Sequence, residues 1–310
     1  MISRGRVVAA VFVALALTPT SAAAYCRTTT VAVPPDYKPQ VCFADGLPLF
    51  WKNACVGYDV SRSASQRFSL DVISPVVDEA FATFTGATCA GGKVGITASN
   101  LGPVDCTDVR YNQKGTNSNL IVFRDDVWPH SDPNNTLALT TVTFNADTGE
   151  IYDADMEVNS SDKNLTVGDP VPGDGFDMLS VLTHEAGHFL GLAHATDTKA
   201  AMYASYKPGA VEMRTLKPDD VEGICAIYPS ATRRAVDTSV AASGFIEATA
   251  CDPTPRRGLA KDCGSTDPPA TEKSGCSVAP TPDDRPGVTG LAACVAAIAF
   301  AASARRRRTT

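Results

Sequence analysis

The sequence at 183–194 contains the pattern H-E-x-x-H-x-x-G-x-x-H. His184 and His188 lie four residues apart, so on a helix their side chains share one face. Gly191 tolerates a left-handed backbone, so the helix can end there and the chain can turn back to bring in His194. Three imidazoles in this arrangement can hold one zinc ion and leave a fourth position for water, which is typical of a catalytic zinc site.

Glu185 follows the first histidine, where its carboxylate can reach a zinc-bound water without binding the metal. The chain has only 4 histidines, and three of them lie in this motif, so a chance match is improbable. The alternative is a core helix with incidental histidines. Apolar residues at the spacing of a helix predict a real helix with a buried face opposite the histidines: Leu182, Ala186, Phe189 and Ala193.

The motif resembles that of the metzincin clan of zinc endopeptidases, and within the clan that of the matrixins, the matrix-metalloproteinase-like group. Metzincins carry a methionine turn beneath the zinc, and Met202 follows His194 at a short distance. Ala204 stands where matrixins usually have proline, whereas Tyr206 matches the pocket tyrosine of the family. The sequence at 218–228 is similar to the last matrixin helix.

The resemblance extends over about 47–230 and implies an α+β, zincin-like fold. This fold would be a twisted mixed β-sheet with an active-site helix and two further helices. The implied activity is hydrolysis of peptide bonds in proteins, with Glu185 taking a proton from a zinc-bound water and passing it to the leaving amine. Tyr203 and Tyr206 would line the substrate pocket, and Met202 would form the floor under the zinc.

Residue patterns outside the motif predict strands and helices of the same kind of fold. The run at 49–60 is rich in aromatic and β-branched residues and predicts a strand. The apolar spacing at 70–83 predicts a helix, and short strands are expected at 94–98 and 120–123. Asp177 is a plausible N-cap for the active-site helix.

A β-prone run at 137–144, a turn and a second run at 150–158 predict a hairpin. In matrixins the first of these strands borders the active-site cleft. The resemblance therefore implies that a substrate pairs with its main chain, with Ala138, Leu139 and Thr140 as the contacts. An ordinary core strand is the alternative.

Three acidic residues of the second run, Asp153, Asp155 and Glu157, alternate along the chain and so share one face of a strand. Matrixins bind structural calcium through acidic residues in this region, and calcium prefers such oxygen ligands. Calcium is therefore a second candidate cofactor, although a solvated strand face would look the same. The second, structural zinc of the family needs more histidines, and only His130 is left, so we expect that site to be missing and His130 to lie in a surface loop.

The N-terminal segment at 1–24 has the features of a secretory signal peptide: Arg4 and Arg6, an apolar run and a small-residue cleavage site. An uncleaved anchor helix is the alternative. The segment at 25–46 is rich in proline and is expected to be an extended leader. The formal net charge is -7, so the chain is a poor candidate for binding nucleic acid.

The chain has 10 cysteines, which fits export to an oxidising compartment. Eight remain when Cys276 and Cys294 are set aside, and we expect disulfides between sequence neighbours: Cys42 with Cys55, Cys89 with Cys106, and Cys251 with Cys263. A cysteine–zinc site is disfavoured because the chain has no C-x-x-C pair. Matrixin propeptides block the zinc with a cysteine, but Cys42 lacks the flanking pattern of the family, so a disulfide role is favoured.

The C-terminal part changes composition. The segment at 231–286 is rich in Pro, Ser and Asp and predicts a linker. The tail at 287–310 begins with an apolar stretch that is just long enough to span a bilayer and ends with an arginine cluster that would stay cytoplasmic. Together with Cys276, it resembles the C-terminal sorting tails of myxobacterial exported proteins. A plain membrane anchor is the alternative.

These features predict an exported monomer, extracellular or associated with the cell surface or envelope. Its partners would be protein or peptide substrates, with no nucleic acid and with membrane contact only through the tail. Two other functions stay open. One is a cell-surface binding protein on an inactive protease fold, which loss of Glu185 or of a motif histidine would favour; none is lost. The other is a zinc enzyme that acts on a non-peptide substrate.

Overall fold

The computed structural model describes most of the chain from residue 25 to residue 263 and one segment near the C-terminus. The described residues are 25–34, 37, 41–161, 163–231, 233–235, 242–243, 245–247, 251–263 and 291–299. The predicted signal peptide at 1–24 lies outside them, as do Cys276 and the arginine cluster of the tail.

The helices of the described residues are α1 (Leu70–Thr85), α2 (Met178–Phe189) and α3 (Pro218–Ile227), with a short 3₁₀ turn at Glu212–Arg214. The strands are β1 (Cys26–Arg27), β2 (Cys55–Ser61), β3 (Thr88–Cys89), β4 (Gly92–Lys93), β5 (Thr97–Val104), β6 (Leu120–Arg124), β7 (Thr136–Asn145), β8 (Ile151–Asn159), β9 (Leu165–Thr166), β10 (Phe176–Asp177), β11 (Leu192–Ala193), β12 (Arg233–Ala235), β13 (Phe245–Glu247) and β14 (Leu291–Ala299).

The central sheet has the strand order β14-β7-β8-β6-β2-β5. Strand β2 is parallel to β5 and β6, and β6 is parallel to β8. Strand β7 is antiparallel to both β8 and β14. The mixed sheet and the three helices form the α+β architecture that the matrixin resemblance implied, so the prediction of fold class is confirmed.

Helices α1 and α2 pack against each other and against one face of the sheet, where the main core lies. The apolar positions of α1 that were expected to form one face, among them Ile73, Phe81 and Phe84, are buried. The Phe81 ring stacks on Tyr58 of β2 with 4.1 Å between ring centroids and meets Phe189 of α2 edge-on at 4.9 Å. These rings tie both helices to the sheet.

Strands β7 and β8 form the predicted antiparallel hairpin. The turn between them contains Gly149, whose φ is +77°. A Cβ atom at this position would lie 2.4 Å from the backbone oxygen of Pro48. Glycine is therefore required both by the backbone conformation and by the close approach of the 47–50 segment.

The disulfide pairs expected between sequence neighbours are wrong. The structure has four disulfides among the described residues: Cys26–Cys42, Cys55–Cys251, Cys89–Cys225 and Cys106–Cys263. Three of them join positions that are 136 or more residues apart. The prediction assumed that each disulfide closes a short loop. It fails because residues late in the sequence, such as Cys251 and Cys263, pack against the sheet. Cys42 is disulfide-bonded, as favoured over the zinc-blocking alternative.

The segment at 251–263, expected to belong to the linker, is bound onto the body of the protein. The Asn117 side chain donates to the backbone oxygen of Arg256 at 2.9 Å, and Ala260 N donates to Asn117 O at 2.8 Å. In a chain-entropy view, the two long disulfides that hold this segment each stabilise the fold by about 4–5 kcal/mol. The folded unit therefore extends past the boundary predicted at 230.

The N-terminal segment is likewise part of the folded body. Strand β1 pairs with β11, which directly follows the active-site helix. Thr28 N donates to Gly191 O at 3.0 Å, and the Thr28 hydroxyl donates to Leu192 O at 2.9 Å. The start of the expected leader at 25–46 is thus bound to the residues just before the third motif histidine.

The helix expected at 287–304 is not what the structure shows for 291–299. These residues form β14, which pairs with β7 in a register that places Ala296 opposite Thr140. The edge of a sheet offers unpaired backbone donors and acceptors, and β-pairing satisfies them for both segments. Within the described part of the chain, no helix has the length and apolar character needed to cross a membrane.

Candidate metal centre

Helix α2 carries the first two motif histidines, and its N-terminus is held by a buried ionic contact. Asp177 is the N-cap, as predicted, and its carboxylate accepts from Ser180 N at 2.9 Å and from the Ser180 hydroxyl at 2.7 Å. Arg214 binds the same carboxylate at 2.7 Å and also binds Asp169. The side chain of Asp177 is almost completely buried, so these donors replace the water that it loses.

The C-terminus of α2 is fixed by aromatic donors. The Trp51 indole donates to Phe189 O at 2.8 Å, and the Tyr228 hydroxyl donates to Leu190 O at 2.9 Å. Gly191 follows with φ +95°, and a Cβ atom there would lie 2.8 Å from Leu49 O. The chain can therefore turn back at Gly191, which brings the third histidine toward the helix.

The structure brings the three motif histidines together. His184 Nδ1 lies 2.7 Å from Ala201 O, and His188 Nδ1 lies 2.9 Å from Leu192 O. The two Nε2 atoms lie 3.1 Å apart, close to the roughly 3.3 Å expected for two nitrogens that bind one tetrahedral zinc at about 2.0–2.1 Å. His194 Nε2 is buried and has no hydrogen-bond partner among the described residues.

A metal ion fits this donor set. Among the described residues, only His184, His188 and His194 form a group of three candidate ligand atoms within 4.8 Å of one another. Backbone carbonyls hold Nδ1 of the first two imidazoles, which leaves their Nε2 atoms for the metal. The unpartnered Nε2 atom of His194 is a further ligand atom.

The electrostatic surroundings favour neutral imidazoles. Burial lowers the pKa of His188 to about 4. Burial and the neighbouring charge of His188 lower the pKa of His194 to about 3. Burial, followed by the charges of the other two histidines, also lowers the pKa of His184 well below its usual range. Neutral imidazole is the form that binds metal, so the site is ready at neutral pH.

Glu185 is completely buried beside these ligands. Its Oε2 atom accepts from the Thr140 hydroxyl at 2.5 Å, whereas its Oε1 atom has no hydrogen-bond partner among the described residues. Burial raises the pKa of Glu185 to about 8. A nearby cation would favour the charged carboxylate, because opposite charges stabilise the ionised form.

Met202 lies directly beneath the helix. A Cβ atom on Gly187 would be 2.1 Å from Met202 Sδ, so a larger residue at 187 would displace the Met202 side chain. Asp220 of α3 accepts from Ala201 N at 2.8 Å and from Met202 N at 3.1 Å and so fixes the turn. Sequence reasoning missed both Gly187 and Asp220. A glycine in mid-helix is disfavoured by propensity and was the signal available for Gly187.

The residues expected to contact substrate lie on β7 and on the segment that follows the third motif histidine. Tyr206 is buried, and its hydroxyl accepts from Asp177 N at 3.1 Å and donates to Ala210 O. Tyr203 is half-buried against the main core. On β7, the residues Ala138, Leu139 and Thr140 are buried, and this strand is paired with β14.

The three acidic residues of β8 have different partners: Asp153 and Asp155 are hydrogen-bonded to each other, whereas Glu157 is bound by other side chains. Glu157 is bound by Arg124 at 2.5 Å and lies 2.5 Å from His130 Nε2. Asp155 accepts from the backbone of Leu120 at 2.8 Å. Glu157 is thus bound by side chains of its own, and calcium binding by the three carboxylates stays a prediction. His130 lies in a loop, as expected, with its ring against Glu157.

Comparison with known proteins identifies the family. The sequence profile of matrixin matches residues 50–229, which is more than half of the chain. The chain belongs to the matrixin family. This matrixin is 30% identical over 182 residues to Matrix metalloproteinase-20 of Homo sapiens, which covers 57% of the chain and 32% of the relative.

Shorter matches have higher identity. Matrilysin of Homo sapiens is 36% identical over 103 residues, which is 33% of the chain and 35% of matrilysin. Metalloendoproteinase 1 of Glycine max is 45% identical over 53 residues, or 17% of each protein. The chain thus spans about a third or less of the length of these relatives.

Proposed function

We propose that this matrixin is an exported zinc-dependent metalloendopeptidase that hydrolyses peptide bonds in proteins. The observation that carries the proposal is the convergence of ligand atoms from His184, His188 and His194. The buried carboxylate of Glu185 stands next to the first of these ligands. A group of three neutral imidazoles beside a carboxylic acid is the set that metal-assisted hydrolysis requires.

Each of these side chains has a distinct role in the proposed reaction. His184, His188 and His194 would hold zinc, which when bound supplies a cation that acidifies water and polarises a carbonyl. Glu185 takes the proton of the attacking water and returns it to the nitrogen of the departing amine. Met202, held by Asp220, packs under the helix and keeps the ligands in place.

The substrate would lie along β7. A peptide in extended conformation can satisfy the main-chain groups of Ala138, Leu139 and Thr140 by antiparallel pairing. The tail strand β14 pairs with the same strand, with Ala297 opposite Leu139, so a substrate would take its place. The rings of Tyr203 and Tyr206 would line the adjoining pocket.

Export is the second part of the proposal. Four disulfides in the described residues fit a protein that matures outside the reducing cytosol. The segment 1–24 would be removed as a signal peptide, and Cys276 would be the processing point of the sorting tail. The intact mass of the mature protein from its native host tests both. A chain that still carries 287–310 would contradict the sorting tail and favour a plain anchor.

The activity is tested with the full chain. We expect about one zinc per molecule and cleavage of casein that stops with a zinc chelator and returns when zinc is added. The variant His130→Ala, which removes the histidine outside the cluster, should retain zinc and activity. Zinc binding without cleavage of casein or of a peptide mixture would contradict the protease and favour a binding protein.

A further inference from the structure

Strand β7 carries a hydroxyl group where its neighbours on the same face are apolar. Side chains two residues apart share a face of a strand, so Ala138, Thr140 and Val142 point the same way. Ala138 and Val142 belong to the main hydrophobic core. Thr140 has no exposed surface, and a buried hydroxyl is costly unless it is hydrogen-bonded.

The partner of this hydroxyl is the carboxylate of Glu185. Thr140 Oγ1 lies 2.5 Å from Glu185 Oε2 and 3.3 Å from the backbone oxygen of the same residue. The shorter contact is within the range of a charge-assisted O–H···O bond. Because the hydroxyl has a single proton, the carboxylate oxygen is its acceptor.

The two oxygens of Glu185 are therefore different. Oε2 is held by the strand, whereas Oε1 is buried and has no hydrogen-bond partner among the described residues. A carboxylate rotates easily about its terminal bond, since that torsion is broad. A hydrogen bond to one oxygen restricts the rotation and fixes the direction of the other.

We infer that Thr140 is a positioning residue of the proposed protease, whose hydroxyl orients the Glu185 carboxylate so that Oε1 faces the reacting water. The inference rests on the proposed function. If the inference holds, strand β7 has two roles in catalysis. The main chain of the strand would pair with the substrate. The Thr140 side chain would fix the position of the Glu185 carboxylate relative to the bound peptide.

Two variants separate the hydroxyl from the rest of the side chain. Thr140→Val keeps the shape and removes the hydroxyl, and Thr140→Ser keeps the hydroxyl and removes the methyl group. For Thr140→Val we expect kcat on a peptide to fall about 10- to 100-fold, the cost of a displaced catalytic group. KM should change less than about threefold, and zinc content should be unchanged. Thr140→Ser should retain kcat within about threefold of wild type.

A second readout does not use catalysis. In chelator-treated protein, the melting temperatures of Thr140→Val, Glu185→Ala and the double variant form a cycle, in which each single substitution removes one partner of the hydrogen bond. Because the two side chains are in contact, their effects should be non-additive by more than about 2 °C. Additive shifts would contradict the hydrogen bond.

The outcomes distinguish this inference from the proposed function. If the wild type cleaves the peptide and Thr140→Val has the same kcat, the positioning role is wrong and the protease stands. If Thr140→Ser is as slow as Thr140→Val, packing of the methyl group matters rather than the hydroxyl, and the inference is also wrong. If the zinc-loaded wild type does not cleave, the proposed function itself fails.

Discussion

Two groups of mostly buried polar side chains in this matrixin are arranged differently. The motif histidines converge, because backbone carbonyls hold Nδ1 of His184 and His188 and direct Nε2 inward. The buried carboxylates of Asp59, Asp153 and Asp155 lie on strands β2 and β8, and Asp59 Oδ1 and Asp153 Oδ1 have no hydrogen-bond partner within the described ranges.

Burial therefore does not by itself make a metal centre. Burial raises the pKa of both Asp59 and Asp153 to about 7, so these acids bind protons at a pH where ordinary carboxyls are charged. The histidines instead become neutral ligands at neutral pH. What distinguishes the centre is that backbone carbonyls hold the rings of His184 and His188 so that their Nε2 atoms meet that of His194.

The largest expected effect comes from breaking that convergence. Replacing His194 by Ala removes one of three ligands and should lower zinc affinity by at least about 10²-fold, more than the 10–100-fold typical of changes to residues that only hydrogen-bond to the ligands. Casein cleavage should fall with it. Zinc content by atomic absorption checks this, with His130→Ala as the matched control. Full zinc retention in the His194 variant would show that the cluster is not the metal centre.

A smaller effect is expected on the pH dependence of stability, through the buried carboxylate of Asp153. Burial raises the pKa of Asp153 to about 7 in the folded protein, above its unfolded value. The folded state then loses stability as the pH rises through about 7. Asp153→Asn has no such loss, so its free energy of unfolding relative to wild type should increase by about 2–3 kcal/mol between pH 5 and pH 8. Urea unfolding at both pH values measures it, and a constant difference would contradict the buried acid.

The smallest expected effect is a rise in melting temperature when calcium is added. Asp153 and Asp155 remain as two carboxylates after Glu157 is bound by Arg124. If they bind calcium, a concentration of about ten times Kd should raise the melting temperature by roughly 3 °C. Asp153→Asn should abolish this rise, and Glu157→Gln should not. An unchanged melting temperature with calcium would leave the group as buried acids without a cation.

Much of the metal centre could be predicted from the sequence because the residues that form it lie close together along the chain. The spacing of His184 and His188 and the N-cap at Asp177 lie within one helix, where sequence separation fixes geometry. The glycine at 191 marks the turn for the same reason. The strand hairpin was also local, since a short turn joins its two arms.

What the sequence did not reveal depends on distant segments. The bond from Thr140 to Glu185 crosses 45 residues, and the disulfide Cys55–Cys251 spans 196. No periodicity encodes which segments meet across a sheet or where a chain returns to it. The secondary structure of the apolar tail could not be predicted for the same reason. An alanine-rich stretch is compatible with a helix as well as with the edge strand β14.

In the proposed mechanism, zinc held by three histidines acts with Glu185 as the base, and one comparison of two variants tests this most directly. Glu185→Gln removes the base and keeps the ligands, whereas Glu79→Gln makes the same change on the exposed surface of α1. We expect both variants to hold one zinc, while kcat on casein falls about 10²–10⁴-fold only in Glu185→Gln. Wild-type turnover by a zinc-loaded Glu185→Gln variant would contradict the account.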